Sequence, residues 1–247
     1  MNLIKVHDEL YIPDNFEEDH SYYADAEGKK PYTGVTTILG VVAKPALIQW
    51  AANMAADYIK VALDSHADDI DWHLVVEEAR YAHRKKKEAA GESGTDLHAL
   101  AEGFVRLSIQ ENDGLPLEVC PTGIERLRDW AKMNKVKFLA SEKKLYSKTW
   151  WIAGTCDLLF EKEGKKYVGD IKTYAKIWDR VPFFQAAGYA SMLEEMGEYG
   201  KEPIAGYCIL RLSKDGSFEE KWSFDTIGDT KAFFAAVELY KQLKNFS

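Results

Sequence analysis

The chain has 247 residues, of which 46% are hydrophobic and 29% are charged, and its formal net charge is −8 at pH 7. These values are ordinary for a globular protein that buries a sizeable core, as one large domain or as a domain with a subdomain. The acidic balance argues against broad, non-specific binding to nucleic acid, although a local basic groove is compatible with it.

Targeting and redox signals are weak. No apolar run approaches the ~20 residues that span a bilayer, and the N-terminal stretch MNLIKVHDEL lacks the architecture of a signal peptide. The three cysteines, Cys120, Cys156 and Cys208, lie far apart and are odd in number, which indicates free thiols in a reducing compartment. We therefore expect no membrane partner and a cytoplasmic location.

The first 90 residues are predicted to form an extended segment followed by two helices. Residues 1–31 show short extended pieces and turns without evident chemistry. The apolar spacing over 47–63 is that of an amphipathic helix, and a second helix is predicted over 68–90. This second helix ends in the basic run at 84–87, which either complements the helix dipole or attracts phosphates beside a nucleic-acid channel.

A separate helix is predicted to start at Ser93 or Thr95, either of which can cap it, and to run to about Ile109. His98 and Glu102 are four residues apart and therefore share a face of this helix. A neutral imidazole is a good ligand for Mn²⁺ and other transition ions. A lone helical histidine is nevertheless more often a surface residue than a ligand.

A helix over 123–134 and a strand over 136–148 precede the central feature of the chain, a β-hairpin. Its strands are predicted over 150–160 and 167–173, because both segments are rich in β-branched and aromatic residues. Glu142 lies near the middle of the preceding strand. It is either an auxiliary acid of a site in the hairpin or the partner of a neighbouring lysine.

The turn of the hairpin sets which residues face each other across it. A turn centred on Glu163–Gly164 places Lys162 opposite Lys165, and counting outward from that pair places Asp157 opposite Asp170. Facing residues of an antiparallel pair have Cβ atoms roughly 4.5–5.5 Å apart. Two carboxylates at that distance repel each other, so the arrangement is costly without a cation between them.

Lys172 is predicted to point to the same face as Asp170, because side chains alternate along a strand. Two acids and a lysine on one patch suit metal-assisted hydrolysis of a phosphodiester. Mg²⁺ prefers oxygen ligands and keeps several waters, and an adjacent lysine stabilises developing charge or helps to position the nucleophile. The alternative is a surface hairpin whose charged residues are merely solvated.

The chain is predicted to end in a helix over 183–196, a hairpin over 206–224 with a D-G turn, and a helix over 229–246. Gln185 and Tyr189 share a face of the first of these helices. The segment before it mixes aromatic and cationic residues, which suits a groove for a nucleic-acid strand or is an ordinary loop. These residues are Tyr174, Lys176, Trp178 and Arg180.

Four short motifs occur in a fixed order along the chain. They are G-T-x-x-H-x-x-x-E over 94–102, G-T-x-D over 154–157, G-D-I-K-T over 169–173 and Q-x-x-x-Y over 185–189. This order resembles the RecB-like branch of the PD-(D/E)XK nuclease superfamily. The lead-in YTGVTTIL and the tryptophan-bearing helix after it are similar to those of phage-encoded and mitochondrial single-strand DNA exonucleases of that branch. The resemblance covers about residues 32–189.

The resemblance implies roles for the matching residues. Asp157 and Asp170 would hold Mg²⁺ or Mn²⁺ with the backbone carbonyl of Ile171, and His98 would join them. Lys172 would be the catalytic lysine. Gln185 and Tyr189 would organise the site and contact DNA. Apart from the resemblance, Lys176 and Arg180 of the aromatic and cationic segment are expected to bind the substrate. Glu102 and Glu142 are possible auxiliary acids.

Two positions depart from the pattern of this branch. Asp170 stands where glutamate is commoner, which leaves metal ligation intact. The cysteine cluster that holds an iron–sulfur centre in some relatives is absent, since three scattered cysteines cannot supply four thiolates. We therefore expect no iron–sulfur cluster.

The predicted fold is an α/β, restriction-endonuclease-like core over 91–247, with a mixed central β-sheet flanked by α-helices. An N-terminal region over 1–90 would cover its site. The predicted function is a divalent-metal-dependent DNA exonuclease of a bacterial cell or phage-infected host, acting in recombination, repair or phage genome metabolism, with recombination or replication proteins as partners. The alternatives are a structure-specific or nicking endonuclease, a catalytically inactive DNA-binding module, and a metal-binding structural protein. The sequence makes no prediction of oligomeric state.

Overall fold

A computed structural model of the chain describes residues 2–42, 45–65, 70–110, 122–174, 176–177, 179–200 and 202–245. The chain divides into two compact units. One contains the residues up to Val42 and those from Leu97 onward, and the other contains the residues between them. The first 42 residues thus belong to the unit that carries the central sheet, whereas the sequence analysis grouped them with the helices up to residue 90.

The unit between Val42 and Leu97 is helical. Helix α2 spans Pro45–Asp64, and helix α3 begins here and spans Trp72–Gln110. The prediction of two helices, over 68–90 and from Ser93 or Thr95 onward, was wrong, because α3 continues through both caps. Starting a new helix requires a costly nucleus, whereas extending an existing one costs little per residue. The local start signals at Ser93 and Thr95 are therefore overridden.

The larger unit is built on a mixed six-stranded sheet. Its strands are β3 (Thr33–Gly34), β4 (Lys137–Ser147), β5 (Ile152–Lys162), β6 (Lys165–Lys172), β7 (Gly206–Leu212) and β8 (Phe218–Ser223). The strand order is β3-β5-β6-β7-β8, and β4 also pairs with β5. The β6–β7 and β3–β5 pairs are parallel and the others antiparallel. The predicted mixed sheet is confirmed.

The β5–β6 hairpin has the predicted register, with Lys162 opposite Lys165. Its two turn residues, Glu163 and Gly164, both have positive φ, at 53° and 72°. A two-residue turn of this kind matches the right-handed twist of the flanking strands, which is why it fixes the register. The pairing continues outward to Leu158 and Gly169 and ends there, one residue short of the predicted Asp157–Asp170 pair.

Helices cover both faces of the sheet. Helices α1 (Val35–Leu39), α5 (Val181–Met196) and α6 (Thr226–Lys244) pack on one face and form what we call the first core. The C-terminal part of α3 from Leu97 and helix α4 (Thr122–Met133) pack on the other face and form the second core. The predicted arrangement of a sheet flanked by helices is therefore confirmed.

The N-terminal segment adds a third, smaller cluster at one end of the sheet. Strands β1 (Leu3–His7) and β2 (Leu10–Pro13) form a separate antiparallel pair. Three residues of this segment are buried and pack with Tyr146 and Ala153 of the sheet; they are Leu10, Tyr22 and Tyr32. Within the described ranges no helix is both long and apolar enough to cross a membrane.

Candidate metal centre

The candidate site lies where β5 loses its strand partner on one side. On that side, Ile152 and Ala153 pair with β3, and pairing with β6 begins only at Leu158. The four residues between, Gly154–Asp157, have no strand partner there within the described part of the chain. Side-chain alternation also breaks at this point, because Cys156 packs in the first core and Leu158 in the second.

Asp157 occupies this gap and replaces the missing ladder hydrogen bond with its side chain. The backbone N–H of Ile171 donates to Asp157 Oδ2 over 2.8 Å. This contact fixes the carboxylate between the two strands of the hairpin. Ile171 thus contacts the site through its N–H group, and the role that the resemblance gives to its carbonyl oxygen stays a prediction.

His98 reaches Asp157 from helix α3, although the two residues are 59 positions apart in the sequence. His98 Nε2 lies 3.2 Å from Asp157 Oδ2, and His98 Nδ1 lies 3.9 Å from Glu142 Oε1. One ligand atom from each of these three residues lies within 4.8 Å of the others. The structure thus brings His98, Asp157 and the auxiliary candidate Glu142 together.

Glu142 is held in an unusual backbone conformation. Its φ is +50°, in the left-handed region, and in the β4–β5 ladder it is skipped between Ser141 and Lys143, which pair with Leu158 and Cys156. A non-glycine residue there costs of order 1 kcal/mol or more, and such residues cluster at functional sites. The ion pair that Glu142 makes is with His98, and neighbouring Lys143 pairs instead with Glu198.

Asp170 and Lys172 form the second half of the site, on the same face of β6 as predicted. Asp170 is fully buried, and Lys172 Nζ donates a hydrogen bond of 2.8 Å to its Oδ1. Lys172 Nζ also lies 3.4 Å from Gln185 Oε1, and Gln185 Nε2 donates to Tyr189 Oη over 2.8 Å. A continuous polar chain therefore runs from the buried carboxylate to helix α5.

Gly154 of the G-T-x-D motif allows Tyr189 to approach the sheet. A Cβ atom at Gly154 would lie 2.7 Å from Cε1 of Tyr189 and 3.3 Å from Cγ2 of Val35. Carbon atoms do not approach so closely, so only glycine fits beneath the ring. The motif glycine is thus explained by packing, since it lets Tyr189 reach and orient Gln185.

The charges of the site divide into two classes. Burial opposes ionisation of Asp157, but the hydrogen bond with His98 and the charge of Lys172 outweigh it and lower the pKa of Asp157. The hydrogen bond to Asp157 raises the pKa of His98 to about 9. Burial would lower the pKa of Lys172, yet Asp170 and Asp157 raise it. In the metal-free protein Asp157 is therefore an anion, and His98 and Lys172 are cations near neutral pH.

The other two acids are costly to ionise. Burial raises the pKa of Glu142 to about 7, and the charge of Asp157 adds to the rise. Burial likewise raises the pKa of Asp170 to about 7, with Lys172 acting in the opposite direction. A bound cation would relieve both penalties. Carboxylate oxygens and one imidazole, without a thiolate, are a donor set that suits Mn²⁺ or Mg²⁺.

A further contact near the site comes from Tyr22, which the sequence analysis missed. Tyr22 Oη lies 2.8 Å from Thr155 Oγ1 of the gap segment. Burial raises the pKa of Tyr22 to about 12, and the nearby charges of Glu142 and Asp157 add to this rise. No sequence signal links Tyr22 to the motif, because the two are joined only by tertiary packing.

The remaining candidates lie in different surroundings. Glu102 pairs with Arg106 on the same helix, at 2.5 Å. Arg180 Nη2 pairs with Asp229 Oδ1 at 2.6 Å, so this guanidinium is engaged at the start of helix α6.

Lys176, from the segment between the hairpin and helix α5, is exposed. Tyr174 is close enough to Lys172 and Asp170 for their charges to influence its pKa. Trp178 and Cys120 lie outside the described residues.

Comparison with known proteins does not assign a family. No family model matches the chain. No curated protein matches it either. A solved structure titled "Crystal structure of SSO0001" is similar over 47% of this chain and 57% of that chain, at 12% identity and a TM-score of 0.28. Likeness at this level carries no argument about function, so the function must be argued from the site.

Proposed function

We propose that this protein is a divalent-metal-dependent nuclease that hydrolyses phosphodiester bonds of DNA, of the PD-(D/E)XK type. The observation that carries the proposal is the position of Lys172. Its ammonium group is held between buried Asp170 and Gln185, beside a second group of potential metal ligands around Asp157. A solvated surface hairpin would have no need for a fully buried aspartate.

Asp157 and Asp170 are the residues that would hold the metal, with His98 and Glu142 as further ligands. When bound, a divalent metal would polarise the scissile phosphate and lower the pKa of a bound water. Asp157 is pre-oriented for this purpose by the N–H of Ile171. Ligands held in place before binding lose little conformational freedom when the ion arrives.

Lys172 would stabilise developing negative charge and help to position or deprotonate the attacking water. Its raised pKa keeps the amine protonated near neutral pH in the metal-free protein. A protonated amine next to the metal ligands can stabilise the negative charge that develops on the phosphate. Gln185 accepts a hydrogen bond from Lys172 and is itself held by Tyr189, so these two residues orient the amine.

The choice of DNA ends as substrate rests on the lead-in YTGVTTIL and the tryptophan-bearing helix after it, which resemble those of single-strand DNA exonucleases. Fold alone does not fix a substrate, so this part of the proposal depends on the assay below. The same resemblance supports action in recombination, repair or phage genome metabolism in the cytoplasm. Cleavage of closed circles is the outcome expected of the endonuclease alternative.

A digestion assay tests the proposal directly. End-labelled linear single-stranded and duplex DNA are incubated with Mg²⁺, Mn²⁺ or EDTA, with closed circles in parallel. The wild-type protein is compared with Asp170→Ala, Lys172→Ala and the matched control Lys165→Ala, which changes an exposed lysine of the same strand. We expect the wild type and the control to degrade linear DNA in a metal-dependent way. In Asp170→Ala and Lys172→Ala the rate of degradation should fall by more than about 100-fold.

The outcomes separate the alternatives. Cleavage of closed circles would show that the protein is an endonuclease rather than an exonuclease. DNA binding without cleavage under every metal condition would support the inactive binding module. Mn²⁺ binding by calorimetry without affinity for nucleic acid would support a metal-binding structural protein.

A further inference from the structure

A second feature of the larger unit lies away from the metal ligands. A cavity of about 280 Å³ lies between the β4–β5 turn and the C-terminal end of helix α6. This volume is near the lower end of small-molecule sites, so it suits one flat ring system rather than a large ligand. The residues that matter for its chemistry are Trp150, Trp151, Tyr240, Lys241 and Lys244.

The turn that carries the two tryptophans is rigid. The carboxylate of Glu195 accepts hydrogen bonds from the backbone N–H groups of Lys148 and Thr149, at 2.9 and 3.2 Å, and from Ser147 Oγ at 2.5 Å. Trp151 has a φ of +59°, which is rare for a bulky residue. The turn therefore holds its side chains in place at a cost in backbone strain, as binding surfaces do.

The cavity combines indole faces with amines. Lys241 Nζ lies 5.1 Å from the centroid of the Trp150 ring, within range of a cation–π contact. Trp151 packs against Tyr32, with ring centroids 4.8 Å apart, and donates its indole N–H to the backbone carbonyl of Pro31 over 2.9 Å. Even so, 42% of Trp151 stays exposed, and Lys244 is exposed. Glu238 lies 3.6 Å from Lys241 and neutralises part of this charge. The two lysines also complement the helix dipole, but this does not explain the exposed Trp151 beside them.

A ligand that fits this arrangement is both flat and anionic. An exposed indole offers a stacking face to any nucleobase, and neighbouring lysines meet the phosphates on either side of it. A polynucleotide strand presents both groups in every unit. A purely apolar ligand would leave the two amines unused, and a simple anion would leave Trp151 unused.

We propose that this cavity is a second binding site for single-stranded nucleic acid, separate from the metal ligands. Ile152 lines it and Asp157 lies five residues further along the same strand, roughly 17 Å away at ~3.3 Å per residue. The inference deepens the proposed function, and it rests on that function for the identity of the strand as substrate. The site would hold a part of the strand that is not being cut.

Binding is measured in EDTA, so that cleavage plays no part. The probe is a dye-labelled oligodeoxythymidylate of about 12 nucleotides, within the usual ~4–16 nucleotide range of single-strand sites, followed by fluorescence anisotropy. The variants are Trp151→Gly, which removes the ring and suits the positive φ, and the double variant Lys241→Ala/Lys244→Ala. Lys162→Ala is the matched control, because its amine lies 5.5 Å from the ring centroid of Trp222 outside the cavity.

We expect Trp151→Gly to weaken binding at least about fivefold, since one stacked base contributes ~1–3 kcal/mol. The double lysine variant should lower the slope of log affinity against log salt by about 1.4, at ~0.7 per phosphate contact. Lys162→Ala should bind as the wild type does. Thermal unfolding of each variant checks that it is folded.

Unchanged affinity in both cavity variants would overturn the proposal, as would equal weakening in Lys162→Ala or no binding by the folded wild type. Displacement of the probe by thymidine 5′-monophosphate at a similar concentration would assign the cavity to free nucleotides and would also overturn it. Predicted binding together with an inactive wild type in the digestion assay would leave this site in place and remove the proposed nuclease activity. The two proposals therefore fail separately.

Discussion

Replacing Glu142 by glutamine tests the electrostatic reasoning behind the metal centre. The substitution keeps the size of the side chain and removes its charge. Glu142 lies 3.9 Å from His98 and is influenced by the charge of Asp157, with only 18% of its side chain exposed. The primary partner of His98 is Asp157, which the variant retains.

The magnitude follows from the pKa of the carboxyl group. Burial raises the pKa of Glu142 from 4.5 to about 7, which corresponds to about 3 kcal/mol at 1.36 kcal/mol for a tenfold change. An acid whose pKa is raised in the folded state contributes stability that is fully present below pH 4.5. That stability is lost as the pH rises through about 7. Glutamine does not titrate, so the variant escapes this loss.

The assay is chemical denaturation of both proteins in EDTA between pH 5 and pH 8. We expect the stability of Glu142→Gln relative to wild type to increase across this range, by on the order of 1–3 kcal/mol. Added Mn²⁺ should then stabilise the wild type more than the variant, because a ligand that binds only the folded state stabilises it in proportion to its affinity.

The control is Glu102→Gln, which removes the same charge from a residue paired with Arg106. We expect it to lose a little stability, because it breaks the pair with Arg106. A stability difference between Glu142→Gln and wild type that does not change from pH 5 to pH 8 would refute the reasoning. It would mean that burial and the charge of Asp157 do not raise the pKa of Glu142.

Two further substitutions test the packing around the site. Gly154→Ala should destabilise the protein by about 1–3 kcal/mol in chemical denaturation, because its Cβ would lie 2.7 Å from the ring of Tyr189. The control, Gly103→Ala, has open space around the new Cβ and should stabilise helix α3 by up to ~1 kcal/mol. Equal effects of the two alanines would contradict the packing. Asp229→Asn should lower the free energy of unfolding by about 1–3 kcal/mol, since it removes the buried charge that Arg180 contacts at 2.6 Å, and an unchanged unfolding midpoint would disprove that role.

The central hairpin shows how much of the site is local. Its turn requires positive φ at two adjacent residues, and Glu163–Gly164 meets this requirement. Once the turn is fixed, pairing follows by counting, and alternation places Asp170 and Lys172 on one face. These relations involve neighbours within one hairpin, so the sequence is sufficient to predict them.

Helix α3 shows where local signals fail. The caps at Ser93 and Thr95 are valid start signals, yet the helix runs through them from Trp72 to Gln110. Capping contributes about 1 kcal/mol, which is small against the cost of ending one helix and nucleating another. The periodicity of the segment was predicted correctly, but its continuity was not.

The sequence by itself determined five of the six strands of the sheet, β4 to β8, together with the hairpin register and the proximity of Asp170 to Lys172. Each of these depends on residues close together in the chain. The tertiary structure alone decided that Glu142 pairs with His98 rather than with a lysine, that Arg180 contacts Asp229, and that β5 has an open edge at Gly154–Asp157. These features join residues about 40 or more positions apart, or depend on where separate strands end. Such contacts are set by how the two cores pack against the sheet, which no local pattern encodes.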